Sequence, residues 1–313
     1  MSERRGSLRL TWADAGILAT VLIWGVNMPA VKATLAYIPP LAFTAMRFSI
    51  AAVLQVIMLY ALGQTLAISW SDFKRMAGMS LAGVLSYQVL FILGIDRTTA
   101  GNSSVLLATV PVFVGLYNAL FKHQRLGRLI WLGASLTFAG VLLLTLGRGH
   151  LLSVSLATFL GDALVLLAAV CWSLYTVSSQ RLLERFSPLK ITAYSTLLSA
   201  PMLDLLALPD FLSIHWAALP FAAWAGLAFS GFFGIAAAYL LWNISVKLLG
   251  DTRASIYSNL TPIISLAVAW VALGESLALL QLAGVALVLG GVALARFAPL
   301  LSRPRSAPDA EPA

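Results

Sequence analysis

An all-α polytopic membrane protein, with ten transmembrane helices in two inverted five-helix repeats, is the fold class that three features of this 313-residue sequence predict. The first is composition: 60% of the residues are hydrophobic and 10% charged, with a mean hydropathy of +0.91, against about a quarter charged in soluble domains. The second is run length, since ten apolar stretches approach the roughly 20 residues that cross a bilayer. The third is an internal repeat of about 150 residues.

Charge clusters and turn residues cut the chain into spans of approximately 13–35, 40–62, 75–95, 99–121, 128–147, 159–180, 189–208, 217–245, 253–273 and 277–297. The first follows Arg4, Arg5 and Arg9 and resembles a signal peptide, but it is long enough to span and many spans follow, so it reads as a retained helix. The second opens at Pro40 and the third behind Lys74 and Arg75. The fourth carries Pro111, and the fifth runs from Arg128 towards Arg148. In the second half, Arg181 ends the sixth span, Pro188 precedes the seventh, Lys247 closes the eighth, Arg253 opens the ninth and Arg296 ends the tenth. Residues 1–150 thus form one repeat, 151–298 the other, and 299–313 a polar, proline-rich tail expected to be disordered and cytoplasmic.

Positive charge sets the expected orientation. With the N-terminus in the cytoplasm, sixteen of the twenty lysines and arginines fall on that side. Lys32, Arg97 and Arg148 remain on the other, and Arg47 lies within the second span. Both termini are therefore expected in the cytoplasm. A shift of 148 residues superposes Asp14 on Asp162, Trp24 on Trp172 and Pro40 on Pro188. A shift of 151 superposes Gly83 on Gly234, Ser104 on Ser255, Pro111 on Pro262, Gly133 on Gly284 and Gly140 on Gly291. Five helices per copy is an odd number, so the second copy must run upside down relative to the first, the arrangement typical of secondary transporters.

Several classes are disfavoured by the same residues. The single cysteine, Cys171, sits in an apolar run, which leaves no intramolecular disulfide and no cysteine pair for a metal. The net charge of +8 comes from short clusters between spans, not from a basic domain, so no nucleic acid partner is expected. The sequence lacks G-x-S-x-G and H-E-x-x-H, and His123, His150 and His215 fall near loops, so an intramembrane enzyme is a remote alternative. No cofactor and no metal are implied; the expected partners are a small-molecule substrate and membrane lipid.

Four segments carry a resemblance: WGVNMPAVK (24–32), AMRF (45–48), SSVLLATVPVF (103–113) and ASIYSNLTPIISLAVAWVALGE (254–275). In this order and spacing they resemble the EamA-type transporters of the drug/metabolite transporter superfamily, from about residue 12 to 297. The resemblance implies a central cavity among helices 1, 3, 4, 6, 8 and 9, with 5 and 10 more peripheral. It also implies a bacterial inner-membrane carrier of amino acids, related metabolites or nucleotide sugars. One departure stands out: His123-Gln124 follows the fourth helix where the family has Gly-Glu, although Gly274-Glu275 follows the ninth.

Polar residues at membrane depth need partners, because an unpaired polar group in hydrocarbon is costly. Trp24 and Trp172 lie close to the midplane, where interfacial tryptophans would not. Around them the candidate substrate-binding residues are Asn27, Tyr87, Gln88, Tyr175, Tyr239, Trp242, Tyr257 and Asn259, with Asn243 and Ser258 beside them. Each alternatively serves as a helix-to-helix contact. Pro29, Pro111 and Pro262 remove the donors for the carbonyls of Gly25, Leu107 and Ser258, either as packing kinks or as openings to a wet cavity.

Lys32 and Arg47 are candidate outer-mouth charges for a carboxylate or phosphate; alternatively they snorkel to the headgroups. Asp14 and Asp162 are read as helix caps near cytoplasmic ends and Asp204 as lying near the outer end of helix 7, so no acid at the midplane signals proton coupling. The preferred reading is a secondary transporter exporting small metabolites, foremost amino acids, by alternating access. The alternative is a nucleotide-sugar, sugar-phosphate or drug carrier.

Overall fold

The computed structural model describes residues 12–98, 103, 106–121, 127–146, 156–264, 267–268 and 278–301. Every regular element among them is helical. Besides a six-residue helix at Leu208–Ser213, left unnumbered, the helices are α1 (Trp12–Thr34), α2 (Pro40–Ala61), α3 (Trp70–Arg97), α4 (Val110–Phe121), α5 (Arg128–Leu146), α6 (Leu156–Leu183), α7 (Pro188–Leu206), α8 (Phe221–Leu249), α9 (Asp251–Tyr257) and α10 (Leu279–Leu301). Among the described residues five of these, α1, α2, α3, α6 and α8, contain stretches long and apolar enough to cross a membrane. The N-terminal arginines, the 123–124 and 274–275 pairs, the end of the ninth predicted span and the tail from 302 lie outside the described residues.

Local chemistry sets the helix boundaries. Proline at the first turn starts α2 and α7, where its missing N–H leaves no helical bond unmade. Ser187 caps α7 by accepting the Lys190 amide at 3.2 Å, and Ser69 caps α3 by accepting the Asp72 amide at 3.1 Å. Gly63 and Gly250 end α2 and α8 with φ of +68° and +85°, a region that side chains other than glycine resist.

Neighbouring helices pair antiparallel, as the order of their contacts shows. Along α1 and α8, Gly16 faces Ser245 and Gly226 faces Thr34. Along α3 and α6, Asp72 meets Arg185, Gly83 meets Tyr175 and Gly94 meets Val165. Along α2 and α7, Ser49 meets Asp204 and Gln55 meets Thr196. The α5–α10 contact is the most extensive of all, and glycines make it close: Gly133 lies against Gly291 and Gly140 against Gly284.

Two of the long helices widen into π-helix at their centres, α3 over Ser80–Leu85 and α8 over Ser230–Ala237. A π segment misaligns the usual carbonyl acceptors, which then need other donors. Trp24 Nε1 donates to the Gly234 carbonyl at 3.1 Å and Gln55 Nε2 to the Ala236 carbonyl at 3.0 Å. The wide turns also admit neighbours. A Cβ on Gly83 would stand 2.7 Å from the Tyr175 Cβ, and one on Gly234 would stand 2.8 Å from the Asn27 amide.

One expectation is corrected. Asp162 does not share an end of the bundle with Asp14: it lies near the start of α6 and accepts from Thr98, just past the end of α3, at 2.5 Å. Asp14, at the start of α1, accepts from Tyr257 at 2.8 Å. Because α3 and α6 are antiparallel, the two acids stand at opposite ends.

The glycine contacts give a stability test. A Cβ at Gly291 would meet the Gly133 carbonyl at 2.6 Å, and backbone cannot swing aside, whereas one at Gly290 meets nothing within 4 Å. Gly291→Ala is expected to cost about 1–3 kcal/mol by overpacking, and Gly290→Ala less than about 0.5 kcal/mol. Thermal unfolding of the two purified variants in one detergent checks the difference.

Candidate functional site

Between the helices lies a cavity with about 120 Å³ open to the centres of water molecules. One ordered water needs about 10–15 Å³ on this measure, so the space admits a small organic solute. Its wall comes from helix faces that converge at one level. Trp24, Asn27, Met28 and Val31 form a single face of α1, and Tyr87, Gln88 and Phe91 a single face of α3. Arg47 enters from α2, Leu107, Ala108 and Val110 from the start of α4, and Trp172 from α6. Gly234, Ile235 and Tyr239 line it from α8, and Ser258, Asn259, Thr261 and Pro262 from the residues after α9.

One part of the wall is aromatic. The Trp24 and Trp172 rings meet edge to face at 5.6 Å, and Tyr87 lies 4.9 Å from Trp172. Trp242 is fully buried against both tryptophans, at 5.4 and 5.5 Å, and supports the wall from outside the cavity. Such packing holds the rings in place and offers a ligand flat apolar surface.

The other part is polar and carries one charge. Arg47 is only 2% exposed. Its Nη2 donates to Gln88 Oε1 at 2.6 Å and its Nη1 to Ser230 Oγ at 3.3 Å, while Gln88 Nε2 donates to the Tyr239 hydroxyl at 2.6 Å. The guanidinium also lies 5.2 Å from the Phe43 ring centre. Among the described residues no carboxylate pairs with it, none lines the cavity, and its Nε–H has no acceptor. The acids are engaged elsewhere, Asp204 with Ser49 at 3.0 Å and Asp72 with Arg185 at 2.7 Å.

Two further polar atoms lack partners here, Asn27 Oδ1 and Thr261 Oγ1. Asn259 donates to Thr137 at 2.8 Å and approaches the Ala108 carbonyl at 3.5 Å. The carbonyl expected to be freed by Pro262 is taken up locally. The chain tightens into a 3₁₀ turn at Ser258–Leu260, and the Thr261 amide bonds the Ser258 oxygen.

Of the residues singled out from the sequence, Trp24, Asn27, Arg47, Tyr87, Gln88, Trp172, Tyr239, Ser258, Asn259 and Pro262 line the cavity. Tyr175 does not; it is fully buried, and its hydroxyl accepts from Asn243 at 2.6 Å. Tyr257 turns away to Asp14. Pro29 is exposed on the far face of α1, and Pro111 is buried beside the cavity without lining it. Lys32 and Arg47 part company: Lys32 is exposed, Arg47 buried at the wall. Met28, Val31 and Phe91 escaped the polar search, although they continue the helical faces of Trp24 and Tyr87.

The sequence matches the EamA-like transporter family over residues 11–146 and again over 159–297. It is 26% identical to the uncharacterized transporter YyaM of Bacillus subtilis over 281 residues, covering 88% of this chain and 90% of that protein. It is 29% identical over 288 residues to a probable terminal-alkyne amino-acid exporter of Streptantibioticus cattleyicolor, covering 92% and 94%. A solved structure at 21% identity superposes with a TM-score of 0.75 over 93% of this chain and 99% of that one, a likeness of fold.

The buried cation makes a direct test of the site. Arg47→Gln is expected to weaken carboxylate-bearing ligands by about 10–100-fold, the loss of a charge-assisted hydrogen bond of about 1.5–3 kcal/mol, and uncharged ligands far less. Titration of wild-type and variant protein with matched acids and amides measures this; equal weakening of both would assign Arg47 to folding alone.

Proposed function

The chain belongs to the EamA-like transporter family, and from that premise we propose that it exports small carboxylate-bearing metabolites, foremost amino acids, across a bacterial inner membrane by alternating access. The observation that carries this reading is Arg47, a buried guanidinium in the wall of a solute-sized cavity with no carboxylate among the described residues to balance it. A charge at membrane depth is costly, and a substrate carboxylate is the partner that such a cavity admits. The probable terminal-alkyne amino-acid exporter of Streptantibioticus cattleyicolor among the relatives supports the same class.

Ten spans in two inverted halves remain the reading of the architecture. Under a twofold relation, equivalent residues touch only at the axis. Trp24 touches Trp172, Gln88 bonds Tyr239, and Ala108 contacts Asn259, each pair separated by one of the two repeat offsets. The α5–α10 contact has the matching crossed form, Gly133 on Gly291 and Gly140 on Gly284. These pairs support an axis running through the cavity wall.

The two ends of the bundle differ. One holds Lys74, Arg75, Arg181, Arg185, Lys190 and Lys247, and the other Lys32 and Arg97, so we assign the first to the cytoplasm. At that end the α2–α3 connection is tied to the α6–α7 corner. Asp72 pairs with Arg185 at 2.7 Å, Ser187 donates to Gln64 at 2.5 Å, Lys190 to the Ala67 carbonyl at 3.3 Å, and Tyr194 to the Leu66 carbonyl. The cavity draws on the opposite halves of α1, α2 and α3. That asymmetry fits a conformer closed towards the cytoplasm, one of the two that alternating access requires.

A nucleotide-sugar carrier would need to neutralise a diphosphate, and Arg47 is the one basic residue among those lining the cavity. Proteoliposomes loaded with a labelled amino-acid panel test the assignment. At least one amino acid is expected to leave down its gradient, uncompeted by nucleotide sugars, and Trp24→Ala or Trp172→Ala to lower the flux with insertion intact. Movement of another solute class with no amino-acid flux would refute the assignment.

A further inference from the structure

We propose that Asn27 receives the α-ammonium group of the substrate while Arg47 holds its carboxylate, so that the site selects α-amino acids over the corresponding 2-oxo acids. This rests on the amino-acid reading above and adds what recognises the amino group. Asn27 is 7% exposed, lines the cavity, and leaves its side-chain carbonyl oxygen without a donor. A buried acceptor in that condition calls for an N–H or O–H from whatever fills the space. The amide is also held in place. It presses on Gly234, where even a Cβ would stand within 2.9 Å of three of its atoms.

Spacing decides which ligand fits. Asn27 rests against Gly234, and Arg47 bonds Ser230, four residues earlier on the same helix. Both residues therefore meet the cavity beside one stretch of the π segment of α8. An α-amino acid carries its ammonium and carboxylate on one carbon. With a hydrogen bond of about 2.8 Å at each pole, its two charged groups suit an acceptor and a cation held against the same stretch of one helix.

The polarity of the two positions is complementary to the zwitterion. Asn27 Oδ1 is an acceptor without a donor, which an ammonium with three N–H groups can supply, and the Arg47 Nε–H is a donor without an acceptor. A 2-oxo acid keeps the carboxylate but offers no donor. It would leave Asn27 Oδ1 unsatisfied and set a carbonyl oxygen against it. Sites built to hydrogen-bond a polar group reject analogues lacking it far more strongly than apolar pockets reject a change of size.

The experiment is a calorimetric titration of the purified full-length protein with matched pairs: L-leucine, L-methionine and L-phenylalanine, each against its own 2-oxo acid. Within each pair the side chain and carboxylate are constant, so the ratio isolates the amino group. Every amino acid that binds is expected to do so at least about 30-fold more tightly than its 2-oxo acid. Asn27→Ala is expected to bring that ratio below about 3-fold by weakening the amino acid alone. Equal affinity within pairs in the wild-type protein would overturn the ammonium site while leaving a carboxylate-binding carrier intact, and it needs no variant to fold. Binding of neither member of any pair, with another solute class bound, would overturn the amino-acid reading and this inference with it.

Discussion

A guanidinium almost wholly removed from water, with no carboxylate beside it among the described residues, is the constraint around which this molecule is organised. Removing a charge from water costs several kcal/mol even after the surroundings relax, so Arg47 is tolerable only because three helices supply its environment. Its own helix places Phe43 beneath it, α3 offers Gln88, and α8 offers Ser230 at the head of its π segment. Gln88 passes the connection on to Tyr239. Displacing any of these helices would strip the cation of its donor-matched neighbours. What these contacts leave unsatisfied is the Nε–H and the charge itself. A fold that maintained this arrangement for stability alone would be better served by a methionine or leucine of similar volume, because buried ionic groups are commonly neutral or costly relative to apolar replacements.

The widened turns of α3 and α8 follow from the same need to bring side chains to the centre. At Gly83 and Gly234 the absence of a side chain lets Tyr175 and Asn27 reach the facing helix at repeat-related positions. One of those intruders ends in a phenol bonded to Asn243, the other in an amide whose oxygen has no donor. Common geometry thus carries different chemistry in the two halves. At the central pairs the difference recurs: Gln88 bonds Tyr239 rather than another amide, and Ala108 meets Asn259.

Much of this was legible in the sequence for physical reasons that can be stated. Apolar run length marked the long helices, and Trp24 and Trp172 stood out because tryptophan far from an interface needs a packed or cavity setting. Gln88, Tyr239 and Asn27 stood out as polar groups at depth. The π segments were invisible, since no periodicity in SLAGVL or SGFFGIAA announces a widened turn. Depth alone also could not separate Arg47 from Lys32. Whether a cation snorkels depends on which face of its helix it occupies, and that is a property of packing. Tyr257 misled in the same way: a tyrosine at depth is equally a substrate contact or a partner for a buried acid, and here it bonds Asp14. Proline positions predicted freed carbonyls, but a single 3₁₀ turn before Pro262 rebonded the Ser258 oxygen without any ligand.

The central claim is that the charge of Arg47 is completed by the substrate. A structure of the protein with a transported amino acid bound tests it most directly. The account predicts a carboxylate oxygen within about 3 Å of the Arg47 guanidinium, with Gln88 still bonded to it. A substrate seated on the Trp24 and Trp172 wall with its carboxylate turned elsewhere, and Arg47 bonded as before to Gln88 and Ser230 alone, would contradict it.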